Sequence, residues 1–155
     1  MASLRGLLTW MRGAFAPRRA GTATVEVSPR SVRDLTISYA PRRDDRADAG
    51  EIVWTWVPYA ERDGRGKDRP VLVIARQSRD RVWALKLTSR SHDRDREYLP
   101  IGSGDWDPQR RPSWVDLDQL YSVPVRGLRR EGAALDAKRF AAVAAALHAR
   151  YGWRR

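Results

Sequence analysis

The 155-residue chain has no cysteine, two histidines, two methionines and two phenylalanines. Without cysteine there are no disulfides, no thiolate zinc site and no cysteine nucleophile. His92 and His148 are too few and too far apart to found a metal site, so no cofactor is expected. Long apolar runs are also missing. None approaches the roughly 20 residues of a membrane span. The opening stretch LRGLLTWMRGAF is too short and too broken by arginine for a secretory signal. The expectation is a cytoplasmic protein without a membrane partner. Lysine is scarce too: Lys67, Lys86 and Lys138 are the whole complement.

What the chain has in plenty is arginine. Thirty basic residues stand against 19 acidic ones, a formal charge of +11. On one small domain this surplus points to a polyanionic partner. Arginine can hold a phosphate through two parallel hydrogen bonds, which lysine cannot do. RNA, DNA, an acidic membrane or an acidic protein would each satisfy the charge.

Residues 1–49 read as a basic, proline-containing extension. Pro17, Pro29 and Pro41 interrupt it, and it carries nine arginines against five acidic residues. Leu4, Leu7, Leu8, Met11 and Phe15 recur at helical spacing, which predicts a short amphipathic helix over 3–15 in an otherwise weakly ordered segment. From Gly50 the pattern turns to β. GEIVWTWVPY alternates aromatic and β-branched residues, and ERDGRGKD reads as a polar loop. VLVIAR (71–76) reads as a strand buried on both faces. VWALKLT (82–88), REYLPI (96–101), SWVDLD and YSVPVRGLR read as further strands, with the charged loop SRSHDRDR and the turn-rich GSGDWDPQRRP between them. Pro124 predicts an edge position or a bulge for the last strand. The sequence closes on a helix over 137–151. Asp136 suits its N-cap, Leu135 can staple onto Phe140, and Gly152 can end it. Phe140, Val143, Ala144, Leu147 and Tyr151 form its apolar stripe, with His148 at the edge in a structural role. Residues 153–155 are left as a basic tail. Short strands followed by one helix must close on themselves or be covered, so a small barrel with a packed helix is expected over 50–152.

The order of segments resembles the MazF/PemK toxins, ribonucleases of type II toxin–antitoxin systems. The residues that carry the resemblance are Gly50, Glu51, Ile52 and Trp54 in the opening strand and Arg69-Pro70-Val71-Leu72-Val73 in the second. Thr88-Ser89 at the end of the third, the Asp118-Gln119 pair with Leu120 and Arg126, and the closing helix complete it. The chain departs from the family pattern in the spelling of the 59–68 loop, in a shorter Arg-to-Thr separation and in the extra 49 residues. The resemblance implies an SH3-like β-barrel of the MazF/PemK/CcdB type, a homodimer, cleavage of single-stranded RNA, and neutralisation by an antitoxin that is acidic where it binds. It also implies Arg69 and Thr88 as the catalytic residues.

Those residue types suit the chemistry. When a 2′-OH attacks the adjacent phosphorus, charge grows on the phosphoryl oxygens, and preorganised donors there lower the barrier. A guanidinium and a hydroxyl can both serve. Arginine stays charged and is a poor proton carrier. Glu61, Asp68, Ser89 and His92 are therefore candidates for support, His92 having the most suitable side chain for proton transfer. Arg65, Lys67, Arg90, Arg94 and Arg96 are expected to hold the RNA backbone, and Trp56, Tyr59, Trp83 and Trp106 to stack bases, although one of Trp54 and Trp56 must fill the core. Two alternatives remain at this point. One is a basic barrel that binds RNA or a protein without cutting. The other is a poison of DNA gyrase of the CcdB type.

Overall fold

The computed structural model describes residues 23–42, 46–129 and 133–155. The helix expected over 3–15 lies outside them. Among the described residues there are seven antiparallel strands and one α-helix: β1 (Val25–Val27), β2 (Ile52–Pro58), β3 (Gly66–Arg76), β4 (Arg81–Thr88), β5 (Tyr98–Gly102), β6 (Ser113–Asp116), β7 (Leu120–Pro124) and α1 (Ala137–Tyr151). The strands run in the order β1-β7-β4-β3-β2, while β6 pairs with both β4 and β5. β4 is thus the hub. Along one edge it pairs with β3; along the other, Arg81–Ala84 pair with β7 and Leu87–Thr88 with β6.

Two apolar clusters form because successive strand residues point to opposite faces. Ile52, Leu72, Ile74, Leu85 and Leu87 face the helix and meet Phe140, Val143 and Leu147. Val53, Val71, Val73, Val82 and Ala84 form the other cluster with Tyr121 and Val123. Burial on both faces explains why β3 reads as a continuous apolar run. The outer edge of β2 is also occupied. The Trp54 N–H donates to the Arg129 carbonyl (3.0 Å), and the Ile52 N–H to that of Ala133 (2.9 Å). Among the described residues β1 and β2 do not pair, so the sheet is barrel-like without closing.

The helix spans the expected residues. The Asp136 carboxylate accepts from the Arg139 N–H at 3.0 Å, and Gly152 ends the helix at φ 73°. His148 places Nδ1 2.7 Å from the Trp153 carbonyl oxygen.

Three expectations need correction. The folded body reaches back past Gly50: β1 hydrogen-bonds to β7, and Leu35, Ile37 and Ala47 are buried. Residues 153–155 are not a loose tail. The Trp153 ring is fully buried and donates to the Val32 carbonyl at 2.7 Å, and Arg154 bridges Thr36. Leu35 and Ile37 alternate with Thr36 and Ser38, a period-two run too short to read as a strand, and they join the helix-side cluster. Finally, β7 is an interior strand between β1 and β4. Pro124 is tolerated because it is the last residue of the strand, where Val125–Gly127 turn away as a 3₁₀ helix.

Candidate functional site

The site arises from a split between two neighbouring strands. Val71 of β3 pairs with Lys86 of β4. Two residues further, the same register would set Arg69 opposite Thr88. The ladder stops short of that pair: β3 continues beside β2, with Arg69 opposite Thr55, while β4 swings to β6, with Thr88 opposite Trp114. Pro70 fits this divergence. It lies opposite Trp54, whose N–H is directed to Arg129 on the far side of β2. The N–H that proline lacks would have faced the split, where a β4 partner could have used it.

A cleft of about 560 Å³ opens at the divergence. Of the residues singled out from sequence, it brings together Lys67, Asp68, Arg69, Thr88, Ser89, Arg90 and His92. Arg69 lies inside β3 rather than at a strand entrance, because the strand begins at Gly66. The Thr88 hydroxyl accepts from the Arg90 N–H at 3.2 Å, which leaves its own hydrogen to donate. His92 is not a loosely solvated loop side chain. Its Nδ1 lies 2.7 Å from an Asp95 carboxylate oxygen, and its ring stacks on Tyr98 with centroids 3.6 Å apart. That leaves Nε2 as its second working nitrogen. Asp68 is paired with Arg129 at 2.7 Å.

Other candidates lie elsewhere. Glu61 and Arg65 are exposed in the β2–β3 turn, where Arg65 pairs with Asp63 at 2.6 Å. Tyr59 leads into the same turn and does not line the cleft. Arg94 and Arg96 are exposed in the β4–β5 loop, outside the cleft wall. Trp56 cannot stack a base: it is buried, and its ring lies against Gly66, where a Cβ would come within 2.7 Å of it. Trp106 is buried as well, with Nε1 donating to Ser113 at 3.1 Å, and Trp83 packs on the helix-side cluster. Trp54 is the indole in the cleft wall, held by its Nε1–H on the Trp106 carbonyl at 3.0 Å.

The cleft also contains groups that sequence reading passed over: Lys86, Tyr98, Asp107 and Arg111. Lys86 is half-buried, with Nζ 3.6 Å from Asp116 Oδ2. Burial pushes the Lys86 ammonium below the ordinary lysine range and the charge of Arg69 adds to this, against the pull of Asp116. Burial likewise pushes the Asp116 carboxyl up, opposed by the Asp118 N–H and by Lys86. Lys67 is held low, first by the charge of Arg69 and then by burial. Burial pushes the Asp107 carboxyl up, but hydrogen bonds from Arg111 and the Gln109 N–H outweigh it and leave it below the usual range. The period of two carried a usable signal: Lys86 stands two residues before Thr88, a cation inside the otherwise apolar run 82–87.

Fold and cleft together define a small barrel-like β domain with one packed helix and a strongly cationic recess between diverging strands. Residues 48–150 match the family described as PemK-like, MazF-like toxin of type II toxin-antitoxin system, and the chain belongs to that family. Among solved structures it is similar to the MazE-MazF crystal structure (Form-II) from Deinococcus radiodurans. The TM-score is 0.53 at 22% identity, covering 70% of this chain and 98% of the other. The Form-III structure from the same organism gives 0.50 at 22% identity, covering 69% and 97%. The Mycobacterium tuberculosis toxin MazF-mt6 gives 0.47 at 20% identity, covering 66% and 99%. A search of curated proteins found no match.

Proposed function

We propose that this toxin-family member is an endoribonuclease that cleaves single-stranded RNA by attack of a 2′-OH on the adjacent phosphorus, using side-chain donors and no metal. The observation that carries this reading is the placement of Arg69 and Thr88 on opposite walls of one cationic cleft, on strands whose register would otherwise have paired them. A scissile phosphate in the cleft would receive the guanidinium from one wall and the hydroxyl hydrogen from the other. Donors held in place by a sheet need not reorganise as charge develops. Lys67 and Arg90 supply further phosphate contacts. His92 receives the 2′-OH proton at Nε2, with Asp95 fixing the ring through Nδ1. Glu61 has no part in this scheme, and the paired Asp68 serves to set the local charge.

The working unit is a homodimer, and its inhibitor is an antitoxin whose acidic segment occupies the same cleft. Such a partner gains association rate from charge and loses it in high salt. The cytoplasm is where such a substrate and partner are met. The test is incubation with a short single-stranded RNA in a chelator, beside the same RNA carrying one 2′-deoxy nucleotide before the cut. Cutting of the first and not of the second is the expected result. Cutting of all-deoxy DNA, or a strict need for magnesium, overturns the mechanism. Intact RNA under all conditions leaves a binding module.

A further inference from the structure

A row of side chains crosses the cleft beside the Arg69–Thr88 pair. Lys86 opposes Val71 on one side. On the other side, the pairing of Leu87 with Val115 sets it level with Asp116, and Asp116 pairs in turn with Tyr98. Three strands therefore put an ammonium, a carboxylate and a phenol in line. Lys86 shares a sheet face with Thr88, since the two are two residues apart. Its side chain is 18% exposed and that of Asp116 is 4% exposed, so the ion pair sits at the floor of the recess with the ammonium as the accessible end.

We propose that Lys86 is the general acid of this cleft, giving its proton to the 5′-oxygen that leaves phosphorus, with Asp116 as the positioning residue that holds it. The proposal rests on the ribonuclease reading above. The 2′-oxygen forms a bond to phosphorus, and its proton passes to His92 Nε2. The bond from phosphorus to the 5′-oxygen breaks with its electron pair on oxygen, and the Lys86 proton goes there. The products are a 2′,3′-cyclic phosphate and a 5′-hydroxyl. His92 then returns a proton to water, and Lys86 takes one from it. Arg69 cannot fill this role, because a guanidinium does not give up its proton near neutrality. The groups facing Lys86 are Arg69 and Lys67 of β3, Asp116 of β6, Tyr98 of β5, Glu26 of β1 and, behind them, Tyr121 of β7. The two cations and the partial burial ease proton release, and Asp116 keeps the ammonium protonated between turnovers.

The test uses the full chain and two RNAs, one ordinary and one with sulfur in place of the 5′-oxygen at the cut. Thiolate leaves without an acid. Lys86→Arg and Lys86→Ala should each cut ordinary RNA about 10²- to 10⁴-fold more slowly than the wild type, the usual range for a lost general acid. Both should cut the sulfur-substituted RNA at close to the wild-type rate, which also shows that the variants are folded. Asp116→Asn should move the alkaline fall of the rate to lower pH, a shift that a purely structural carboxylate would not produce. Lys86→Arg cutting ordinary RNA at the wild-type rate overturns the proposal. So does an equal deficit on both RNAs, which would make the lysine an electrostatic or packing element. If the wild type cuts neither RNA, the ribonuclease reading itself falls. If it cuts both but the sulfur rescue is missing, only the role of Lys86 falls.

Discussion

The two halves of β3 belong to one strand and obey different rules. Val71–Ala75 runs between β4, interrupted by a bulge at Ile74, and an edge formed by β2, Gly50–Glu51 and Ser38; it has apolar layers on both faces, and every residue is buried. Gly66–Pro70 is paired with β2 alone and exposes Lys67 and Asp68. The first half stabilises the fold. The second spends a strand edge on keeping a cleft open, with Pro70 unable to supply the hydrogen bond that would close it. Rigidity is borrowed from the first half: Arg69 stands on a strand whose next residues are locked in the core. Groups built on such a scaffold keep their geometry better than groups on a loop.

The sharpest way to break this comparison is to truncate one side chain in each half. Leu72→Ala should cost about 2–5 kcal/mol of stability, as deletions in a packed core do. Arg69→Ala should leave the thermal midpoint no lower, yet slow single-turnover RNA cleavage by about two to three decades, or about 3–4 kcal/mol in the barrier. Thr88→Ala should follow with a smaller loss, since a neutral hydroxyl is a weaker donor than a guanidinium. Calorimetry and cleavage of one short RNA separate the two classes. If Arg69→Ala destabilises the fold as much as Leu72→Ala, the division between the halves is wrong.

Gly66 marks where the open half begins. A Cβ there would lie 2.3 Å from the Val57 carbonyl oxygen and 2.7 Å from the Trp56 ring. Gly66→Ala should therefore cost about 1–3 kcal/mol, in the range of other overpacking changes. Denaturant unfolding measures it. A neutral result would mean that the β2–β3 turn yields easily and that the open half is softer than drawn.

The smallest effect concerns the charges. Lys67 and Lys86 bind fewer protons in the folded chain than in the unfolded one below the ordinary lysine value of 10.5. Stability should accordingly rise with pH in that window. Tyr98 and Tyr121 act in the other sense above their ordinary value of 10.0, because burial keeps their phenols protonated. The thermal midpoint should climb with pH below the ordinary lysine value of 10.5, and the climb should be opposed once the pH passes the ordinary tyrosine value of 10.0. In Arg69→Ala the climb should shrink, since Arg69 is the main cause of the Lys67 shift. An unchanged climb would detach Lys67 from the Arg69 wall.

Much of the fold was legible because periodicity reports burial. The helix 137–151 was bounded by a capping aspartate and a terminal glycine, both readable as residues. The strand 71–76 was readable as an unbroken apolar run. Arg69 and Thr88 were reachable through family resemblance, and their meeting in the cleft follows from register, which sequence does not print. Trp54 and Trp56 share one face of β2, being two residues apart, and only the packing of the Trp56 ring against Gly66 says which one is core. Lys86 and Asp116 were passed over because each is a single charge beside an apolar run, and their meaning depends on lying level across two strands. Leu35, Ile37 and Trp153 were missed for a related reason: their partners lie at the far end of the chain.

That last contact has a consequence for the order of folding. The Ile37 N–H donates to the Arg154 carbonyl at 2.8 Å, and the Arg154 N–H to the Leu35 carbonyl at 3.1 Å. Residues made early in translation thus wait for residues made late. Closing a loop of such length is slow compared with forming a hairpin. While the ribosome is still adding the helix, Leu35 and Ile37 have neither Trp153 nor Phe140 to cover them. The nascent chain therefore carries its arginine-rich cleft strands before the clasp that joins 32–37 to 153–154 exists, and the clasp is the last contact of the barrel that synthesis makes possible.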